Sequence, residues 1–193
     1  TATTPFGRRP MTLALLASQV SASHIDQEAR ASKWEVFRDI REAKQALGAT
    51  DRALAILNAL LSFHRADELT TEGSLIVFPS NEQLIRRANG MSPATLRRHL
   101  GNLVTTGLII RRDSPNGKRF ARKGEGGEID QAYGFDLSPI LARAEEFKAL
   151  AADVKAEHKA HRLAKERLTI CRRDVVKMID AGINEAASGN WQG

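Results

Sequence analysis

The sequence predicts a mainly α-helical protein with a small β-sheet, organised as a winged helix-turn-helix with long C-terminal helices. Three observations support this fold class. Two capped helices flank a glycine turn between Ser80 and Gly107, and a strand, turn and strand pattern follows directly. A helical pattern then runs with little interruption from Ser138 to Ala187. The order helix, strand, helix, helix, strand, turn, strand is that of a winged helix-turn-helix.

The first 32 residues predict little regular structure. Residues 5–10 contain two prolines and a glycine, which favour an extended arm. Met11–Val20 predicts a short helix, and residues 21–32 are small and polar, as in a linker. We therefore expect a domain to begin after residue 32.

Two helices are predicted to form the centre of that domain. The first has apolar residues at helical spacing from Trp34 to Leu47, and Gly48 is placed to end it. Thr50 or Asp51 caps the second helix, which runs through Phe63. Its apolar stripe is wide enough to support a core: Leu54, Leu57, Leu60 and Leu61.

The helix-turn-helix is predicted from its caps. After a short strand at 75–78, Ser80 and Gln83 form a capping box for the first helix, and Gly90 supplies the turn. Ser92 and Pro93 are an N-cap and first-turn pair for the second helix, which ends at Gly107. A β-hairpin is expected after it, in which a strand at 108–112 pairs through a turn at 114–117 with a returning strand at 118–122. One more strand is expected around Tyr133, Phe135 and Leu137.

The C-terminal region predicts either two helices or one long helix that packs at each end. Its apolar residues keep a heptad register whose middle is polar, so dimerisation through it stays open. The predicted organisation is an arm, short helix and linker over 1–32, a winged-helix domain over 33–137, a helical region over 138–187 and a frayed tail over 188–193.

Positive charge is concentrated on the helix-turn-helix and the strands that follow it. Residues 80–123 carry ten Lys or Arg and two acidic residues, whereas the whole chain has a net charge of +6 and a pI near 9.8. A focused basic patch favours nucleic acid as the partner, ahead of an anionic membrane. The single cysteine, Cys171, excludes an internal disulfide and fits a reducing cytoplasm. No apolar run approaches the roughly 18 residues of a membrane span.

The second helix of the motif is predicted to read DNA bases. Its core face is Leu96, Leu100, Leu103 and Val104. Arg98 lies opposite and is the first candidate for a base contact, because arginine can grip guanine with two hydrogen bonds. Thr95 and Asn102 are the next candidates, and Arg97 is better placed for a phosphate.

Backbone contacts are predicted from three other basic groups. They are the wing (Lys118, Arg119, Arg122 and Lys123), the first helix of the motif (Arg86 and Arg87) and the arm (Arg8 and Arg9). A solvated basic face on an ordinary helical protein is the plainer alternative. For the arm, a solvated tail is as good an interpretation as a DNA contact.

The sequence offers no catalytic, cofactor or metal site. No phosphate-binding loop motif occurs, and the glycines at 124–127 are better read as a loop tip. Tyr133 lacks the histidine pair that a nicking enzyme would need, and His158 and His161 lack a third ligand. Cys171 lies on an apolar stripe and is expected in a core. We therefore predict a binding protein rather than an enzyme.

Several segments resemble the RepC replication initiators of repABC-type plasmids. The resemblance is dense from Thr3 to Leu150 and includes VFPSNEQL, ATLRRHLGNLV and GLIIRRDSPNGKRFARKGEGGEI. It implies specific binding to the plasmid replication origin, initiation through host replication factors and no nicking activity. It also implies that the helix at 92–106, the helix before it and the wing at 115–123 bind the DNA. RepC proteins are longer, so this chain resembles their N-terminal portion.

Two other functions fit the pattern less well. One is a winged-helix transcriptional regulator that binds an operator as a dimer through the helix after Ser138. The other is a protein without DNA activity whose basic face docks an acidic partner.

Overall fold

The computed structural model of the protein describes residues 16, 19, 20, 22, 24–26, 28–115, 119–123, 129–185, 188 and 189, with the side chains of 121–131 excepted. In chain order the elements are β1 (Arg30–Ser32), α1 (Lys33–Glu42), α2 (Asp51–Phe63), β2 (Glu68–Thr70), β3 (Ile76–Val77), α3 (Asn81–Arg87), α4 (Pro93–Thr105), β4 (Ile110–Arg112), β5 (Phe120–Lys123), β6 (Ile129–Asp136), α5 (Ser138–Ala142) and α6 (Ala144–Asn184). The chain is mainly α-helical with small antiparallel sheets, as predicted.

The core is built around α2. Thr50 caps this helix by accepting a hydrogen bond from the Ala53 N–H, which confirms one of the two predicted caps. Leu57, Leu60 and Leu61 are fully buried, and each contributes about 1.5–3 kcal/mol relative to an exposed position. The turn before α2 contains Gly48 with a φ of +67°, a conformation that favours glycine.

A two-stranded sheet replaces the end of the predicted linker. β1 and β2 pair antiparallel, with Ala31 opposite Leu69. The neighbouring Lys33 is buried, and its ammonium donates to the carbonyls of His64 and Ala66 at 2.8 Å each. The pairing joins residues about forty positions apart in the chain, so local sequence patterns did not reveal it.

The two helices predicted on either side of the glycine turn form with the predicted caps. Ser80 and Gln83 make the reciprocal hydrogen bonds of a capping box at the start of α3. Asn89 and Gly90 both adopt positive φ in the turn. At the start of α4, the Ser92 hydroxyl accepts from the Thr95 N–H at 3.2 Å, and Pro93 occupies the first turn. The boundaries of α4 therefore follow from its own sequence.

The larger sheet has the order β3–β6–β4, and β5 also pairs with β6. The predicted strands are present, but the expected pairing was wrong: the returning strand β5 pairs with β6 rather than with β4. β6 is eight residues long and therefore has room for both partners. A Cβ on Gly134 would lie 2.3 Å from the Val77 carbonyl oxygen, so the close approach of β3 and β6 requires glycine there.

The C-terminal region forms two helices of very unequal length. Between them, Arg143 donates to the carbonyls of Thr106 and Gly107 at 3.4 and 3.3 Å and stacks over the Phe147 ring. The fold divides into two units, Thr1–Ala151 and Ala152–Gly193. In the first unit, Phe147 and Ala151 of α6 are buried.

The second unit is described by residues 152–185, 188 and 189. Seven large apolar side chains are exposed among these residues. Five of them lie between positions 168 and 178: Leu168, Ile170, Val175, Val176 and Met178. Cys171 is also exposed, so its predicted place in a core was wrong. No helix in the described part of the chain is long and apolar enough to cross a membrane.

Candidate nucleic-acid interface

The two sides of α4 differ sharply in burial. Leu96, Leu103 and Val104 are buried, and Leu100 is half-buried, which agrees with the predicted core face. On the other side, Ala94, Arg97, Arg98 and Thr105 are exposed. We call these four residues the outer face of α4. Helix periodicity alone places them there, and the caps at Ser80 and Ser92 fix where that periodicity begins.

Arg98 is the most prominent side chain of the outer face. Its only hydrogen bond among the described residues is a long one of 3.5 Å to Nε2 of the adjacent His99. If that nitrogen accepts, the ring proton lies on Nδ1 and is donated to the Thr50 hydroxyl at 2.9 Å. Arg98 therefore keeps most of its five N–H donors available for a ligand.

Sequence reasoning missed the role of His99. Its ring is buried between α4 and the start of α2. Burial lowers the pKa of His99 most, and the charges of Arg98 and Arg52 lower it further. The neutral imidazole thus supports the helix that carries Arg98. A histidine one residue after two arginines gave no sequence signal for this contact, because its partner Thr50 lies 49 positions away.

Asn102 is half-buried, and its side chain is hydrogen-bonded to the protein itself. Its amide nitrogen donates to the Gly48 carbonyl at 3.1 Å, and its amide oxygen accepts a long bond of 3.5 Å from the Thr50 N–H. Both partners belong to the turn before α2. Asn102 thus ties α4 to that turn, and its predicted base contact would require these bonds to break.

Thr95 lies in the first turn of α4, at the edge of a cleft. Its hydroxyl accepts from the Ser92 hydroxyl at 2.9 Å. The cleft has a volume of about 450 Å³ and includes Asp51, Arg52 and Met91 among its lining residues. Thr95 is half-buried and adjoins the outer face, so its side chain is within reach of a ligand bound on that face.

The two arginines of α3 differ from each other. Arg86 is exposed and lies 3.7 Å from Glu82, one turn earlier, in a surface ion pair of the kind that contributes little. Arg87 donates to the carbonyl and hydroxyl of Ser62 at 3.1 and 2.7 Å, and its guanidinium stacks 3.7 Å from the centre of the Phe63 ring. Arg87 thus joins α3 to the end of α2.

Arg119, predicted in the wing, is likewise bound within the protein. It donates to the Pro79 carbonyl at 2.8 Å and to the Asn81 side chain, and it lies 4.8 Å from the centre of the Phe135 ring. Arg122 and Lys123 are in β5, but their side chains lie outside the described structure. Lys118, Arg8 and Arg9 also fall outside the described residues.

Both arginines of β4 form ion pairs. Arg112 reaches the buried carboxylate of Asp136 at 2.7 Å, and Arg111 pairs with Asp113 at 2.7 Å. Asp136 also accepts from the Ser138 N–H at 2.8 Å, so its two oxygens join β4 to the start of α5. Within the described ranges, no group of three or more His, Cys, Asp or Glu side chains could hold a metal ion.

Comparison with known proteins decides the family. The profile described as "Replication protein C N-terminal domain" matches residues 9–183. The chain belongs to this family. This confirms the resemblance to RepC that the sequence motifs indicated.

Two curated relatives of the replication protein C family are similar over nearly the whole chain, and both are named "Putative replication protein C". The protein of Rhizobium rhizogenes is 58% identical over 190 residues, which cover 98% of this chain and 47% of that protein. The protein of Sinorhizobium fredii is 56% identical over 191 residues, which cover 99% of this chain and 47% of that protein. The chain thus spans about half the length of these relatives. No solved structure matches it.

Proposed function

We propose that this replication protein C domain binds double-stranded DNA sequence-specifically through the outer face of α4. The observation that carries the proposal is Arg98, exposed on a capped helix and with most of its donors unused by the protein. A B-DNA major groove accepts an α-helix, and a bidentate arginine–guanine contact provides about 1–3 kcal/mol of discrimination.

The surrounding elements support a winged helix-turn-helix mode of binding. α3 and α4 are joined by a tight turn, and the sheet β3–β6–β4 follows them. Here the wing corresponds to β5, β6 and the loop between them, since β5 pairs with β6. Arg97 and Arg86 are exposed and suited to phosphates, Arg122 and Lys123 add positive charge in the wing, and Lys118 lies just before the wing in the sequence.

The site we propose for this binding is the replication origin of a plasmid. Membership of the replication protein C family supports a role in replication, and the basic charge of residues 80–123 supports DNA as the partner. The bound domain would mark the origin and position host replication factors there. In this proposal the domain acts by binding and does not itself cleave DNA.

The decisive experiment is a competition binding assay. Labelled duplexes that tile the coding region and the flanking origin are titrated with the protein at two salt concentrations, against scrambled competitors. We expect one segment to bind roughly a thousandfold or more tightly than its scrambled control. Equal and strongly salt-dependent binding to all duplexes would leave only a backbone binder. A lack of binding to every duplex would refute the proposal and favour an acidic protein partner.

The alternative of a dimeric operator-binding regulator has one supporting observation. Leu168, Val175 and Met178 of α6 are exposed and share a heptad register, as in a helix that pairs with a second copy. Sedimentation equilibrium of the free chain at micromolar concentration tests this. A monomer that binds a site without two-fold symmetry would exclude the alternative.

A further inference from the structure

Three arginines line a small cavity beside α4. Arg97 comes from α4, Arg111 from β4, and Arg119 immediately precedes β5. The cavity has a volume of about 220 Å³, below the roughly 300–1,000 Å³ typical of sites for drug-sized ligands. We call it the arginine cavity. Its size suits a small ligand, and none of the described residues that line it is acidic.

The walls of the arginine cavity are rigid. Leu100, Val104 and Phe135 belong to the core-facing side of α4 and to β6, and they form its apolar part. Arg119 is fixed by its bonds to Pro79 and Asn81 and by its stacking on Phe135. A guanidinium held in this way can bind an anion without losing further side-chain freedom.

The positive charge of the arginine cavity is only partly compensated. Asp113 is paired with Arg111 at 2.7 Å. Arg97 makes no hydrogen bond or ion pair with any residue that the structure describes. Burial lowers the pKa of Arg119, and the charge of Arg111 lowers it further, while Asp113 opposes this. The guanidinium groups of Arg111 and Arg119 thus repel each other, and a bound anion would relieve that repulsion.

We propose that the arginine cavity holds one phosphodiester group of the DNA backbone, gripped by Arg97, Arg111 and Arg119. This inference rests on the proposed DNA binding. It identifies the backbone phosphate whose contact would fix the position of α4 on the DNA. Guanidinium groups match phosphate oxygens with paired hydrogen bonds. Arg97 adjoins Arg98 on the outer face, so a strand that places one phosphate in the cavity leaves its neighbouring bases beside Arg98.

A single neutralised phosphate provides the test. In the duplex that binds best in the competition assay, each backbone phosphate in turn is replaced by an uncharged methylphosphonate, and affinity is measured for each duplex. The protein is compared as wild type, as Arg97→Gln, and as the control Arg38→Gln, which removes one exposed arginine of α1. Arg97 and Arg38 are both exposed, so thermal melts should show both variants folded.

We expect neutralisation of one phosphate to lower the DNA affinity of the wild type and of Arg38→Gln but not that of Arg97→Gln. Its neutralisation should cost on the order of tenfold in affinity, and Arg97→Gln should flatten the salt dependence by about one unit of slope. Arg111→Gln, tested in the same way, should reduce the effect at the same position.

Two results would overturn the inference, and they differ from each other. If the wild type binds DNA but Arg97→Gln keeps the full methylphosphonate profile, the arginine cavity holds no backbone phosphate and DNA binding itself survives. If no duplex binds, the proposed function fails as well. The other source of such a ligand is a free phosphate ion, which is tested by measuring Tm with added inorganic phosphate at constant ionic strength. A rise in Tm that is lost in Arg97→Gln, together with an unchanged profile on DNA, would assign the cavity to a free anion.

Discussion

The arginines of α4 differ from those of the surrounding elements in whether the protein itself accepts hydrogen bonds from them. Arg97 and Arg98 are exposed, and the protein supplies them with almost no acceptors. Arg87 and Arg119 stack on Phe63 and Phe135 and donate to the carbonyls of Ser62 and Pro79.

The number of Lys and Arg residues in a basic cluster therefore overstates the number of side chains that are free to contact DNA. Three of the ten Lys or Arg in residues 80–123 make hydrogen bonds that join separate elements of the fold: Arg87, Arg112 and Arg119. Their charge still contributes to the long-range attraction of a polyanion. Direct contacts are left to N–H donors that the protein does not already use, some of which Arg111 and Arg119 retain.

The largest effect should come from Arg119→Ala. The variant loses two hydrogen bonds and a ring contact that hold β5 to the start of α3, so we expect unfolding to become easier by about 2–3 kcal/mol. Urea denaturation measures this as a lower midpoint with an unchanged slope. Arg119→Lys should recover part of the loss. A stability equal to that of the wild type would place Arg119 with the free arginines and break the comparison.

Arg98→Ala tests the opposite side. Its donors are free, so we expect stability to stay within about 0.5 kcal/mol of the wild type. Affinity for the preferred duplex should fall by about 1–3 kcal/mol, and base preference should relax at one position. Fluorescence anisotropy with the preferred and scrambled duplexes measures both. Equal losses on the two duplexes would make Arg98 a phosphate contact.

Asn102→Ala asks whether Asn102 belongs with the free or the engaged side chains. Its bonds to Gly48 and Thr50 predict a loss of stability of about 1 kcal/mol and an unchanged preference between duplexes. Thermal melts and the same anisotropy assay measure the two quantities. A loss of preference without a loss of stability would show that Asn102 leaves the turn to read a base, as the sequence predicted.

The smallest effect concerns pH. The pKa of His99 is lowered in the folded protein, so the unfolded chain binds the proton more readily. Stability from this residue is complete above the ordinary histidine pKa of about 6.5 and is lost as the pH falls below it. Urea midpoints between pH 8 and pH 5 should therefore drop less in His99→Gln. The hydrogen bond from Arg143 lowers the pKa of Glu146. The stability that Glu146 adds is lost only as the pH falls below its ordinary pKa of 4.5, which lies outside this pH range.

Much of the candidate site follows from local sequence. The caps at Ser80 and Ser92, the glycine turn and the 3.6-residue period together define α4 and its outer face, because each depends on residues within one or two turns. The family was also evident from short segments around this helix. These features required no knowledge of the tertiary structure.

Only the tertiary structure decided which polar side chains remain free and which strands pair. The acceptors for Arg87, Arg119 and Asn102 lie 25, 40 and 54 positions away, and β5 pairs with β6 rather than with the strand before it. A side chain hydrogen-bonds to whatever the fold brings within about 3 Å, and that is set by packing of the whole core rather than by its neighbours in sequence. The sequence by itself thus determined α4 and its outer face, and the packing around them determined which arginines keep free N–H donors there.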